Sequence, residues 1–207
     1  MIIMKTPFAF CLICLAISFC SCNGQQMKVP PSECIELNNK GSEYMMNYPT
    51  GGKNGLLKAI DLFNQAISCD STFLLAYENL AHAYDHNQDY KKELSIYNRV
   101  LILSSHYPSI ITEKAEVFEK MNKLDSAKLG YQLARQSFTD SLSIHPNNLN
   151  FIRGLLLVIA LTEGKESALN ELNRRNTLNP ELKSKMVSDY YFYQHFDKKA
   201  YLYHLTQ

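Results

Sequence analysis

The sequence has no net charge to speak of. Lysine and arginine number 21 and aspartate and glutamate 20, so neither nucleic acid nor a general polyanion is expected as the main partner. A catalytic constellation is also missing. The serines stand outside recognisable nucleophile motifs, and the six histidines are dispersed except for His82 and His86, so no nucleophile, base and orienting group fall together. Long apolar runs are few: Phe8 to Phe19 and Phe151 to Thr162 are both too short to span a bilayer comfortably, and the second contains Arg153 and Gly154. The glycine-rich stretch Pro49-Thr50-Gly51-Gly52-Lys53-Asn54-Gly55 lacks the Gly-Lys-Ser/Thr ending and the preceding strand of a phosphate-binding loop. These absences leave a non-catalytic helical protein with no cofactor as the expectation.

What is present is periodicity. Tyr77, Leu80, Ala81 and Tyr84 follow i, i+3, i+4, i+7, and Leu94, Tyr97, Val100 and Leu101 do much the same after a polar break at His86-Asn87-Gln88-Asp89. Each set marks one face of a helix, and the short break leaves only an antiparallel turn between them. Ser71 or Thr72 is the expected cap of the first helix and Asp89 of the second. The unit recurs at a constant offset. A step of 34 residues takes Ala81 to Ala115, Tyr84 to Phe118, Tyr97 to Tyr131 and Val100 to Ala134, and backwards it takes Tyr97 to Phe63 and Val100 to Ala66. The next step is 41, taking Ile111 to Ile152, Ala127 to Ala168 and Tyr131 to Leu172. The extra seven residues are about two helical turns, so a lengthened helix before His145-Pro146 absorbs them without changing face.

The aromatic-Leu-Ala-aromatic set Tyr77, Leu80, Ala81, Tyr84 and the small-aromatic-small set Ala59, Phe63, Ala66, repeated as Ala127, Tyr131, Ala134, resemble the tetratricopeptide repeat family over roughly residues 34–179. The chain departs from that pattern in having no tryptophan and in placing Glu93 and Lys114 at normally apolar or small positions. The resemblance implies an all-α fold, a right-handed α-solenoid of antiparallel helix pairs. About four repeats would occupy residues 32–180, with capping helices over 181–207. It also implies a groove lined by the first helix of each pair, which receives a protein or peptide partner.

Residues 1–21 read as a targeting segment, with Lys5 its only charge and an apolar run ending near Ser21-Cys22-Asn23-Gly24-Gln25. The pattern resembles a bacterial lipoprotein signal. That resemblance implies cleavage before Cys22 and acylation of Cys22, hence a protein lipid-anchored to a membrane of the bacterial cell envelope, at the outer membrane or facing the periplasm. Cys20 is the rival position, with bulky Phe19 before it, and an ordinary cleaved signal or an uncleaved anchor is the alternative. Residues 22–31 are a tether ending in Pro30-Pro31. Once Cys11, Cys14, Cys20 and Cys22 are assigned to this region, only Cys34 and Cys69 remain. Helices over 32–48, with Ser32 the expected cap, and 56–69, antiparallel across the glycine-rich loop, bring these two cysteines together. A disulfide or two buried free thiols can result.

One polar constellation stands out. Glu78, His82 and His86 recur at i, i+4, i+8 with Asp85 beside them. By the family resemblance they line the groove, together with Thr112, Glu116 and Glu119 of the next unit and Arg153 of the last. The middle of that groove is therefore acidic and suits a basic or amine-bearing segment. The pair His82 and His86 can also ligate one metal ion if a carboxylate completes the site, although His-Ala-Tyr-Asp-His lacks the general base of a helix-borne metalloprotease motif. The metal reading makes a metal-binding protein or metal-dependent enzyme the alternative to a partner-binding groove. The Tyr-rich end, Val187 to Leu205, is expected to form a helix, a break near Asp197 and a shorter helix. These would cap the array, or else form an aromatic surface for a small molecule, a glycan or a second chain.

Overall fold

The computed structural model describes residues 29–204. The expected signal segment, the expected acylation position Cys22 and most of the expected tether lie outside the described residues.

Eight helices follow one another as four antiparallel pairs. They are α1 (Ser32–Met46) with α2 (Tyr48–Cys69), α3 (Leu74–His86) with α4 (Tyr90–Leu103), α5 (Pro108–Lys120) with α6 (Leu124–Ile144), and α7 (Leu149–Glu163) with α8 (Lys165–Leu178). Three short helices close the chain: α9 (Leu182–Lys185), α10 (Val187–Gln194) and α11 (Lys198–Leu202). No strand occurs among the described residues. Each pair packs on the next, and first helices also touch across the stack, α1 on α3 and α5 on α7. This is the all-α solenoid of helix pairs that the 34-residue spacing implies.

The repeat is visible in the core. Phe63, Tyr97 and Tyr131 are all buried, as are Ala66, Val100 and Ala134 that follow them by one helical turn, and Leu172 with Ala168 in the last pair. The seven-residue insertion is where the spacing put it. Helix α6 is 21 residues long against 14 for α4, and its added turns place Phe138 and Leu142 in the core beside Ile152 and Leu156.

The turns repeat as well. Helix α3 ends with Gln88 N–H on the Asp85 carbonyl at 2.8 Å and Asp89 N–H on the Tyr84 carbonyl at 2.9 Å. Helix α5 ends identically, Asn122 on Glu119 and Lys123 on Phe118, both at 2.8 Å. This two-bond closure requires a left-handed residue just past the helix. Gln88 and Asn122 both take φ 58°. The last pair turns differently, on the single residue Gly164 (φ 92°, ψ 167°), whose N–H bonds the Ala160 carbonyl at 3.2 Å.

Three local expectations are corrected. The stretch from Pro49 to Gly55 is not an extended loop: α2 begins at Tyr48 and breaks at Gly52, where φ is 60° and ψ −166°. Neither Ser71 nor Thr72 caps α3. Asp70 takes both groups of Thr72, the amide at 2.9 Å and the hydroxyl at 2.7 Å, and α3 starts three residues further on without a side-chain cap. Ser32 is likewise the first residue of α1 and makes no cap bond. Asp89 does cap α4, accepting from Lys92 N–H, and Pro108 opens α5.

Cys34, at the start of α1, and Cys69, at the end of α2, are joined by a disulfide with their Cα atoms 5.5 Å apart. Antiparallel pairing of the two helices produces this proximity. Among the described residues, no helix is long and apolar enough to cross a membrane.

Candidate functional site

The face shared by α3 and α5 gathers six carboxylates. Glu78 and Asp85 come from α3, Glu93 from the first turn of α4, and Glu113, Glu116 and Glu119 from α5. Glu78 and Asp85 are seven residues apart, and Glu113 and Glu116 three, so each helix presents its pair along one stripe. Glu119 is the counterpart of Asp85 one repeat later.

These acids are largely out of water. Glu93 is 2 % exposed, and Asp85 and Glu116 are each 8 % exposed. Burial pushes the Glu116 carboxyl up to about 8, aided by the charge of Glu113. Burial, then the charge of Asp85, raises Glu93 to about 8. Burial raises Glu78 to about 7 even though the Tyr107 hydroxyl donates to it. A carboxyl in a low-dielectric setting keeps its proton unless a cation compensates. Glu93 Oε2 and Glu113 Oε2 are buried with no hydrogen-bond partner.

Asp85 is the exception because cations reach it. Burial alone would raise it, but the hydrogen bond from His204 and the Lys120 ammonium hold its carboxyl below the usual aspartate value. Lys120 Nζ lies 2.6 Å from Oδ1, in a pair whose side chains are 5 % and 9 % exposed. His204 Nε2 lies 2.6 Å from Oδ2.

His204 belongs to a second layer. Residues 198–204 run across this face as a strap. Lys198 Nζ reaches Glu119 Oε1 at 2.7 Å and stands 5.8 Å from the centre of the Tyr131 ring. The Tyr201 hydroxyl donates to Glu116 Oε1 at 3.3 Å. The His204 ring stacks on His86, centroids 4.8 Å apart. Burial, followed by the positive neighbour His204, holds His86 below its ordinary value. Lys198 and Tyr201 are three residues apart, close to one helical turn, so one side of α11 faces the acids, and His204 follows just past the helix end with φ 51°. Two cavities border the strap. One of about 490 Å³ lies beyond Lys198, with Tyr131, Arg135, Leu161 and Glu163 in its wall. The other, of about 90 Å³, lies beside Tyr201 against Glu113, Glu116 and Phe138.

Of the residues expected to line the groove, Glu78, Asp85, His86, Glu116 and Glu119 are brought to this face. Thr112 is buried, with its hydroxyl donating within its own helix to the Pro108 carbonyl at 3.1 Å, and it forms part of the wall of the smaller cavity beside Tyr201. Arg153 turns elsewhere. Its guanidinium bonds Asp189 of α10 at 3.0 Å and the Lys185 carbonyl at 3.3 Å, tying α7 to the closing helices. The metal reading of His82 and His86 is corrected. Among the described residues no group of three or more His, Cys, Asp and Glu side chains could hold a metal ion. His82 is exposed, His86 is stacked on His204, and Asp85 is engaged by Lys120 and His204.

The Tyr-rich end packs as a cap. Leu182, Met186, Tyr193, Phe196 and Leu202 are buried in one cluster with Leu172 and Ala168 of α8. Sequence reasoning missed Glu93, Glu113, Lys120, Tyr107, Tyr201 and His204. The repeat register carried a signal for one of them, since Lys120 stands one repeat after His86.

No family model and no curated protein matches the chain. Solved structures similar to it include three proteins. The first tetratricopeptide domain of human RPAP3 is 21 % identical, with a TM-score of 0.46, over 68 % of this chain and 98 % of that one. The Sgt2 tetratricopeptide domain of Aspergillus fumigatus is 20 % identical, with a TM-score of 0.47, over 70 % and 85 % of the two chains. MamA is 18 % identical, with a TM-score of 0.46, over 75 % and 82 %. The assignment of the fold rests on the helix pairs themselves.

Proposed function

We propose that the chain is a non-catalytic protein-interaction scaffold whose partner-binding surface is the acidic face of α3 and α5. The observation that carries this reading is the imbalance on that face: six carboxyl groups face only Lys120, Lys198 and the His204 imidazole, and two buried carboxyl oxygens have no partner. Buried acids in excess of their cations stabilise nothing by themselves, and they become favourable when an outside cation reaches them. A stack of rigid helix pairs presents such a surface at little ordering cost. The partner is therefore a protein or peptide segment bearing basic residues.

Within the same reading, the chain is a lipoprotein of the bacterial cell envelope, acylated at Cys22 and tethered by the following residues to a membrane. The Ser-Cys-Asn-Gly context of Cys22 supports it, as does a disulfide between Cys34 and Cys69, which is at home in an oxidising compartment.

The test is affinity capture from detergent-solubilised native membranes with wild type and Glu119→Lys as baits, both checked for helical content. A partner held by wild type and lost by Glu119→Lys is the expected result. Equal capture by both would remove the acidic face from the reading. Metabolic labelling with an alkyne fatty acid should mark wild type and not Cys22→Ala; equal labelling would exclude acylation there.

A further inference from the structure

We infer that the strap Lys198–His204 is a built-in occupant of the partner site, and that the partner segment displaces it by presenting a second basic residue where the strap presents Tyr201. The inference rests on the acidic face being the binding surface.

The strap has the chemistry of a ligand for this face. It contributes one cation to Glu119, one hydroxyl to Glu116 and one imidazole to Asp85, across 85 residues of sequence for the Tyr201 contact and 119 for that of His204. Its hold is light. Helix α11 has five residues, too few to persist without its docking contacts. Lys198 and His204 keep 39 % and 51 % of their side-chain surface in water, where ion pairs are weak and screened by salt. Leu202 is the buried apolar anchor within the segment.

The fit is also incomplete in one place. Tyr201 meets Glu116 with a neutral hydroxyl, at 3.3 Å. The 90 Å³ cavity beside it is walled by Glu113 and Glu116, and Glu113 Oε2 is without a partner. A guanidinium in place of the phenol is long enough to enter that space, and its several donors serve both carboxylates. A segment with the pattern Lys-x-x-Arg-x-x-His thus satisfies the face better than the chain's own Lys-x-x-Tyr-x-x-His. The larger cavity beyond Lys198 gives such a segment a place to land before the strap leaves.

Two labelled peptides test this, one with the sequence of residues 196–207 and the same peptide carrying Tyr201→Arg. They are titrated against the full mature chain, wild type and the opened variant Lys198→Ala/Tyr201→Ala/His204→Ala, by fluorescence anisotropy. The opened variant should bind the native-sequence peptide at least tenfold more tightly than wild type does, and the arginine peptide more tightly still. Equal binding by the two chains, with helical content unchanged, would overturn the inference. Should the opened variant fold poorly, hydrogen exchange on wild type decides. Excess arginine peptide should speed exchange at 198–204 while slowing it in α5, and unchanged exchange at 198–204 overturns the inference. Failure here with capture still lost in Glu119→Lys would leave the scaffold reading standing with a fixed strap, whereas equal capture by both baits removes the scaffold reading itself.

Discussion

Gly154 of α7 lies against the ring of Phe138 of α6 with no space between them for a β-carbon. Phe138 is 2 % exposed and sits in the two turns by which α6 exceeds α4 and α8, so the close helix contact and the insertion are one adaptation. Alanine at 154 would gain about 1 kcal/mol of helix propensity over glycine. The clash should outweigh this: three atoms of the buried ring would lie within 3 Å of the new carbon, and the ring can relieve it only by giving up its packed place for the small cavity that it and Gly154 border. Gly154→Ala is expected to lower the unfolding free energy by about 1–3 kcal/mol, measured by urea denaturation. Adding Phe138→Leu to Gly154→Ala should recover part of the loss. A Gly154→Ala chain as stable as wild type would refute the contact.

The turn residue Gln88 takes φ 58°, as Asn122 does one repeat later. Left-handed backbone costs a side-chain-bearing residue about 1 kcal/mol or more relative to glycine. Gln88→Gly should therefore raise stability by about 1 kcal/mol, while the same change at the helical Gln136 should lower it. Thermal unfolding of the two variants gives opposite signs if the turn geometry is right.

The disulfide between Cys34 and Cys69 closes a loop with a sequence separation of 35. Constraint of the unfolded chain by a loop of this size stabilises by about 3–4 kcal/mol. Unfolding in urea with and without a reductant should show a drop of that order in wild type and none in Cys34→Ser/Cys69→Ser. Both cysteines belong to the first helix pair, so the loss should be greatest in hydrogen exchange of α1 and α2.

The repeat architecture was legible because it depends on spacing: Phe63, Tyr97 and Tyr131 recur at the offset, and each is buried where the offset puts it. The acidic face was half legible for the same reason, since Glu78, Asp85 and Glu119 sit on first helices in register. Glu93 was noticed only as a charge at an apolar position, and its place under the face depends on how α4 packs against α3 and α5. The strap could not be read at all. Lys198, Tyr201 and His204 find Glu119, Glu116 and Asp85 by tertiary docking of a five-residue helix, and no local pattern encodes a contact across 119 residues. The expected cap of α3 failed for a smaller reason, while that of α4 held. Asp70 competed for Thr72 and delayed the start of α3, a choice that neighbouring residues make and single-position preferences do not reveal.

The buried acids make stability depend on pH in a direction opposite to that of ion-paired surface carboxylates. Glu78 is raised to about 7 and Glu93 and Glu116 to about 8, from 4.5 for a free glutamate. Between pH 4.5 and 8 the folded chain therefore holds more protons at these sites than the unfolded chain does. Stability then falls as pH rises, because the slope of unfolding free energy follows protons bound unfolded minus folded. The contribution of these three groups is complete below pH 4.5 and lost as pH passes through 7 to 8. Asp85, held below its ordinary 3.8, works the other way: its contribution is present above that value and lost as pH falls. His86, held below 6.5, also favours the folded state as pH rises through its own range, but it is one group against three. Urea midpoints should thus be highest near pH 4.5–5 and decline by pH 8. Glu93→Gln and Glu116→Gln keep the shape of the protonated acid and cannot ionise. Each should flatten the decline and raise the unfolding free energy at pH 8 by about 2 kcal/mol, with little change at pH 5. A decline of the same slope in the double variant would assign the pH dependence to other groups and place these carboxyls in water.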